Sequence, residues 1–338
     1  MVTKREKLNP EEGATEGSYF KLESSVDLFP SGSQTLDCVL GGGWAGGRII
    51  NVVGDSSTGK TLLAIEAAAN FDRQHGEGNI WYSEAESAFD ESYAEALGFP
   101  VNRVEFRAPE TVEDVFEELE DICDKYPESN PPSLYILDSL DALSDRGELE
   151  REIDDKTYGM GKAKILSQLF RRLVSKLGDK NITLFIISQI RENIGVTFGK
   201  RYVRAGGKSL QFYASQIIYL AHMKMLVRTI KGIERPIGIQ IKAKCEKNKI
   251  GLPFRTCEFP LVFGFGIDDL RGNFEWLQSV KRLDKFDLDD KSLVSFMRNI
   301  GRLSDTEYED ICADVAETVK KEWDNIEQGF APSRKKYS

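Results

Sequence analysis

Gly54-Asp55-Ser56-Ser57-Thr58-Gly59-Lys60-Thr61 decides how this chain is read. The stretch has the G-x-x-x-x-G-K-T form of a phosphate-binding loop, and what flanks it has the right periodicity. Before it, Arg48-Ile49-Ile50-Asn51-Val52-Val53 reads as a buried strand. After it, the alanine- and leucine-rich segment from Lys60 to about Gln74 reads as a helix. In a strand–loop–helix of this kind, glycines let the backbone approach phosphate oxygens, and successive N–H groups form an anion-binding concavity at the helix N-terminus. Residues Gly54 to Thr61 are therefore the expected triphosphate cradle. Lys60 is placed to reach the β- and γ-phosphates, and the Thr61 hydroxyl to hold Mg²⁺.

At 338 residues, 41% hydrophobic and 30% charged, the chain has the composition of a globular protein with room for one large α/β body and a smaller appendage. No run approaches the roughly 18 apolar residues of a membrane span. The N-terminal stretch from Met1 to Glu12 lacks an apolar core, so a cytoplasmic location (bacterial, or that of a phage-infected host) without secretion or membrane association is expected. Five cysteines (Cys38, Cys123, Cys245, Cys257, Cys312) are scattered, and the chain holds only two histidines, which argues against structural zinc and for buried thiols. The net charge of −10 excludes a polyanion binder that uses its whole surface. The charge is uneven, however. Residues 197–208 carry Lys200, Arg201, Arg204 and Lys208 with no acid, and nine basic residues face only Glu234 and Glu246 between Lys224 and Arg255. A polyanion would meet one face or channel.

Along the chain, residues 1–32 are polar and read as a loosely ordered N-terminal arm, a possible oligomerisation segment. Strands and helices then alternate: strand 48–53, helix 60–74, strand 79–84, helix 90–97, strand 103–107, helix 111–125, strand 133–138, helix 161–177, strand 182–188. That order predicts a doubly wound, mostly parallel α/β sheet. Three strand-like runs without intervening helices (217–227, 237–245, 255–263) predict an antiparallel extension, broken at Gly264-Phe265-Gly266. The core is expected over 33–266, and residues 267–338 read as a small helical C-terminal domain.

Phosphoryl transfer at such a loop needs a second carboxylate beside Mg²⁺ and a group to orient the attacking water. Leu134-Tyr135-Ile136-Leu137-Asp138 ends a buried strand on an acid, where ligands bind in open α/β sheets, so Asp138 is the metal-side carboxylate, acting through water. The water-orienting group lies in Trp81-Tyr82-Ser83-Glu84-Ala85-Glu86; by chemistry alone either Glu84 or Glu86 serves.

Further motifs assemble around these. They run Glu84-Ala85-Glu86-Ser87-Ala88-Phe89-Asp90, then Leu137-Asp138-Ser139-Leu140-Asp141, then Ser188-Gln189-Ile190-Arg191 through Ile194-Gly195-Val196-Thr197-Phe198-Gly199. Gly206-Gly207-Lys208-Ser209-Leu210-Gln211-Phe212-Tyr213-Ala214-Ser215 and Lys247-Asn248-Lys249-Ile250 follow. Over residues 30–266 the chain resembles a bacterial or phage-borne RecA recombinase. The resemblance implies a RecA-like ATPase fold, with ATP and Mg²⁺ as ligands. It makes Glu86 the water-activating glutamate, Gln189 the γ-phosphate sensor, and Asp90 and Tyr93 the adenine contacts. Lys247 and Lys249 would reach a neighbouring subunit's nucleotide, so ATP would lie between protomers of a filament. Single-stranded and homologous duplex DNA are the implied partners, held by segments 148–164 and 191–208. The matching positions are Arg171, Arg191, Ile194, Val196, Gly206 and Gly207, and Lys162, Lys164, Lys200, Arg201, Arg204 and Lys208 add charge. The family's N-terminal polymerisation helix has no clear counterpart in Glu11-Glu12-Gly13-Ala14-Thr15-Glu16-Gly17, and the C-terminus is basic (Arg334-Lys335-Lys336) rather than acidic. The implied activity is a DNA-dependent ATPase that pairs and exchanges strands. A RecA-fold motor or helicase and a non-hydrolytic loading paralogue are the alternatives.

Overall fold

The computed structural model describes residues 26–87, 89–127, 130–149, 160–192, 202–204 and 207–334. In chain order the elements are β1 (Leu28–Phe29), α1 (Gln34–Leu40), β2 (Trp44–Ala45), β3 (Ile49–Gly54), α2 (Lys60–Gln74), β4 (Ile80–Glu84), α3 (Glu91–Ala96) and β5 (Val104–Arg107). They continue with α4 (Val112–Lys125), β6 (Ser133–Asp138), α5 (Arg146–Leu149), α6 (Met160–Asp179), β7 (Ile182–Glu192), β8 (Tyr202–Arg204) and α7 (Gly207–Tyr213). The chain ends with β9 (Gln216–Ile230), β10 (Ile233–Asn248), β11 (Thr256–Val262), β12 (Gly266–Ile267), α8 (Asp269–Ser279), α9 (Asp290–Asn299) and α10 (Asp305–Gly329).

The main sheet runs β12-β11-β10-β9-β3-β7-β6-β4-β5, with β8 paired to β7. From β9 to β5 neighbouring strands are parallel, and from β9 to β12 they are antiparallel. The expected doubly wound sheet with an antiparallel extension is the observed fold. β3 and β6 are buried at every position because helices cover both faces, which is why their sequences are mostly apolar and do not alternate, with Asn51 of β3 bonded to Ile186 O and Ser188 Oγ. On one face Leu63, Ala64 and Phe71 of α2 pack on Ile50, Val52 and Ile136. On the other, Val115, Phe116 and Leu119 of α4 and Phe170 of α6 pack on Tyr135, Leu137 and Leu184.

Residues 26–32 differ from the expected loose arm. β1 pairs with β2, Phe29 is 1% exposed, and its ring meets Phe71 edge-on at 5.2 Å. The apolar pair Leu28-Phe29 supplies enough burial to draw this piece onto the body. Buried Gln216 pins the next segment. Its Nε2 donates to Leu40 O at 3.3 Å and Gly43 O at 3.0 Å, and its Oε1 accepts from Ala45 N at 3.0 Å. Cys123, Cys245 and Cys257 are buried as expected, whereas Cys38 and Cys312 are only half-buried.

β9 and β10 extend further than the sequence periodicity suggested. The two-residue turn Lys231-Gly232 has φ of 51° and 80°, the left-handed geometry that matches the twist of a hairpin, so pairing continues to Ile230↔Ile233. β11 reaches only as far as Gly238 on β10, and β3 pairs with β9 no further than Leu220. Residues 227–236 therefore pair with each other alone. After β12, helices α8, α9 and α10 enclose Leu270, Phe274, Leu277, Leu293, Val315 and Val319. Trp276 and Trp323 lie 5.7 Å apart at its margin.

Candidate active site

The phosphate-binding loop leaves β3 at the sheet's C-terminal edge. Gly59 caps α2 with φ 79°, and a Cβ there would fall 2.3 Å from Leu261 Cδ1. A Cβ on Gly54 would fall 2.4 Å from Thr58 Oγ1. Both glycines are thus required by the loop's path. The loop closes on one carbonyl: Thr58 Oγ1 donates to Asp55 O at 2.9 Å and Lys60 Nζ donates to the same oxygen at 2.7 Å. Asp55 Oδ1 accepts from Ser56 N at 2.8 Å, and Ser57 adopts φ 59°. Lys60 is 8% exposed, and burial lowers its pKa against the opposing pull of Glu86, Asp138, Asp55 and Asp141.

Asp138 ends β6, 6% exposed. Its Oδ2 accepts from Thr61 Oγ1 and from Tyr82 OH, each at 2.8 Å. Burial raises its pKa; the two hydroxyl donors work against that, and the Glu86 and Glu84 charges add to it. A hydroxyl and a carboxylate side by side are hard oxygen donors suited to Mg²⁺, which takes one or two protein oxygens and fills its shell with phosphate and water. Among the described residues no cluster of three or more His, Cys, Asp or Glu side chains is arranged to cage an ion.

The structure separates the two glutamates that the sequence left equivalent. The Glu84 carboxylate accepts the N–H groups of Glu86 at 3.1 Å and Ser87 at 2.8 Å, so it shapes the turn. Glu86 is exposed toward the loop, and its Oε1 accepts from Gln189 Nε2 at 2.9 Å and from Ser139 Oγ. Strand register explains the meeting: Gly54 lies opposite Gln189 on β3 and β7, and Glu84 lies opposite Asp138 on β4 and β6. Asp90 caps α3, its Oδ1 accepting from Tyr93 N at 2.9 Å. Asp90 and Tyr93 share a cleft of about 300 Å³ with Ser57, Gly59, Thr61 and Phe263. A larger cleft of about 1020 Å³ lies between β9–β10 and the C-terminal helices, lined by Arg228, Arg271, Glu275 and Arg298. It holds none of these groups.

The remaining candidates lie elsewhere. Lys247 sits opposite Ile217 on β9, whereas Gly54 sits opposite Leu220, a separation of about 10 Å along the strands toward the other sheet edge. Lys247 Nζ donates to Gln211 O and Phe212 O, each at 2.7 Å, at the end of α7. Lys249 is exposed. Neither is brought to its own chain's phosphate loop. Lys162 differs from the expected free DNA-facing cation: its Nζ donates to Leu140 O at 2.9 Å and to Leu143 O, in the loop that follows Asp138. A first-turn lysine is disfavoured by the helix dipole, and these carbonyls hold it. Lys164 and Arg171 are exposed on α6. Arg191 lies in β7 opposite Val203, Arg204 in β8 opposite Ile190, and Gly207 and Lys208 begin α7. Ile194, Val196, Lys200, Arg201 and Gly206 lie outside the described residues. Tyr82, Ser139 and Asp141 join the site without having been singled out; Asp141 Oδ2 accepts from Gln189 N at 2.7 Å. Their proximity to Glu86 and Asp138 in the chain was the available signal.

Residues 11–268 match the family model described as RecA N-terminal domain. Protein RecA of Gloeothece citriformis is 36% identical over 258 residues, spanning 75% of this chain and 70% of the relative. Protein RecA of Rippkaea orientalis is 36% identical over 255 residues, spanning 74% and 70%. Among solved structures, the crystal structure of the RadB recombinase is similar in fold, with TM-score 0.51 at 18% identity over 70% of this chain and 97% of that one. No helix among the described residues is long and apolar enough to cross a membrane.

Proposed function

The chain belongs to the RecA family, and on that premise we propose that it is a DNA-dependent ATPase that forms a filament on single-stranded DNA. Its activity is homologous pairing and strand exchange in recombination and repair. One observation carries the reading: Lys60, Thr61, Glu86, Asp138 and Gln189 converge at one sheet edge, with Gln189 hydrogen-bonded to Glu86.

ATP phosphates lie along the Gly54–Thr61 backbone, and the Lys60 ammonium leaves Asp55 O for the β- and γ-phosphate oxygens. The Thr61 hydroxyl and, through water, the Asp138 carboxylate would hold Mg²⁺, which would neutralise charge building across those phosphates. Asp90 and Tyr93 flank the adenine. Glu86 accepts a proton from the attacking water as its oxygen bonds to the γ-phosphorus and the bond to the β-bridging oxygen breaks, releasing ADP and phosphate. Gln189, bonded to Glu86 and three residues before the end of β7, links the γ-phosphate to segment 191–208. Exposed Lys249 acts on the nucleotide of an adjacent protomer, and Lys247 joins it once its ammonium leaves Gln211 O and Phe212 O for that phosphate, the pair stabilising transition-state charge as an arginine finger does. Arg171, Lys164 and the basic residues of segment 191–208 contact DNA phosphates, and Ile194 and Val196 contact bases.

The test is ATP hydrolysis with and without single-stranded DNA, alongside electron micrographs with a non-hydrolysable analogue. Wild type is expected to be stimulated by DNA and to form filaments, and Lys60→Ala to lose both. Full-rate hydrolysis by a dilute monomer, indifferent to oligonucleotide, would overturn the proposal.

A further inference from the structure

We infer that Tyr82 is a positioning residue for the metal-side carboxylate: its hydroxyl binds Oδ2 of Asp138 and so leaves Oδ1 for the hydrated magnesium of the bound nucleotide. The inference rests on the ATPase reading above and deepens it.

Three observations carry it. First, among the described residues both hydrogen bonds to the Asp138 carboxylate fall on one oxygen: Thr61 Oγ1 and Tyr82 OH each reach Oδ2 at 2.8 Å. A carboxylate gripped on one side has its rotation fixed and presents the other oxygen. Second, the phenol is immobile. Tyr82 is 0% exposed, and its ring packs on Phe89 at 4.8 Å, Phe99 at 5.8 Å and Phe106 at 5.8 Å between centroids. An aromatic cage of this kind needs only a ring, so the hydroxyl is not there for packing. Third, Thr61 has another task. Once its hydroxyl oxygen faces Mg²⁺, its hold on Asp138 must accommodate the metal, whereas Tyr82, buried on the neighbouring strand β4 and outside the phosphate loop, has no such second task. Without Tyr82, Thr61 Oγ1 alone among the described side chains holds the Asp138 carboxylate.

The experiment uses Tyr82→Phe in the full chain. Mg²⁺ is titrated into protein with a fluorescent, non-hydrolysable ATP analogue, and analogue affinity is also measured in EDTA. The expected result is that half-saturating Mg²⁺ rises about tenfold, the size of effect that follows loss of a hydrogen bond orienting a metal-site carboxylate, while metal-free affinity stays within about twofold. Asp138→Asn supplies the second arm: on that background Tyr82→Phe is expected to add nothing, because the phenol acts through Asp138. An unchanged Mg²⁺ midpoint in Tyr82→Phe would show a phenol that merely found an acceptor, and would overturn the inference. So would equal losses with and without metal, or additive losses in the double variant. A wild type whose analogue binding ignores Mg²⁺ removes the inference and the ATPase reading together; a Mg²⁺-dependent wild type with an indifferent Tyr82→Phe removes the inference alone.

Discussion

Replacing Glu86 with Gln isolates the proton-accepting step, because the geometry lets nearly everything else persist. Glu86 Oε1 is the acceptor for both Gln189 Nε2 and Ser139 Oγ, and a glutamine Oε1 in the same place accepts both bonds. What disappears is the negative charge and its basicity. Losing the extra strength of a charged acceptor in one exposed and one part-buried hydrogen bond costs about 1–2 kcal/mol of folding stability. Losing a general base removes two to four decades of turnover, roughly 3–5 kcal/mol at the transition state. The variant should therefore bind ATP within about twofold of wild type, unfold at nearly the same temperature, and hydrolyse about 10²–10⁴-fold more slowly in single-turnover assays with saturating single-stranded DNA. Glu84→Gln is the companion, since Glu84 holds two backbone N–H groups of the turn. It should lose less than about tenfold, the cost of weakening those bonds. Hydrolysis by Glu86→Gln within threefold of wild type would refute the assignment, and a larger loss for Glu84→Gln would reverse it.

Lys164→Ala is expected to weaken single-stranded DNA binding and to reduce the slope of log affinity against log salt by about 0.7, one phosphate contact, whereas Lys162→Met should leave the slope unchanged because its ammonium is committed to Leu140 O and Leu143 O; parallel salt titrations check both. Glu86→Gln and Lys249→Ala should each be nearly inactive alone yet recover roughly a quarter of wild-type hydrolysis when mixed equally, since Glu86→Gln still binds ATP and assembles, and one junction in four then joins an intact glutamate to an intact lysine. Mixtures as inactive as the separate proteins would show that Lys249 acts within its own chain. Stability should fall as pH rises from 4 to 8. Burial raises the Asp37 carboxyl to about 7, with the nearby Asp269 charge adding, so the fold favours the protonated form and loses that contribution on ionisation. Asp37→Asn should flatten the dependence by on the order of 2–4 kcal/mol between pH 5 and 8, measured by urea denaturation.

The parallel core was readable because its elements satisfy their local preferences and the global fold together. Ile49–Val53, apart from the hydrogen-bonded Asn51, and Leu134–Leu137 are apolar since both faces are covered, and each is followed by polar, glycine- or acid-bearing turns. The phosphate loop was readable because its chemistry is local. What sequence could not provide was anything set by side chains meeting across distance. Glu84 and Glu86 differ only in what their carboxylates reach. Lys162 reads as a loop cation until carbonyls of residues 140 and 143 are placed beside it. Helix α1 was missed although Ser33 caps it and Gly41 ends it at φ 86°, because it is short and follows polar chain. The hairpin was underestimated because lysines, arginines and threonines interrupt the alternation that marks a half-buried strand.

That hairpin has a consequence for how the molecule opens. Its outer rungs, from Val227↔Pro236 to Ile230↔Ile233, have neither β3 nor β11 beside them, and Val227, Ile230 and Ile233 are about half exposed or more. Two strands alone are marginally stable in water. The outer rungs therefore break and re-form independently of the core, and their amides trade protons with solvent at a free-energy cost far below that of global unfolding. The same fraying presents Arg228 and Lys231 to trypsin while the sheet beneath stays closed, so a nick there leaves both fragments joined through β9 and β10.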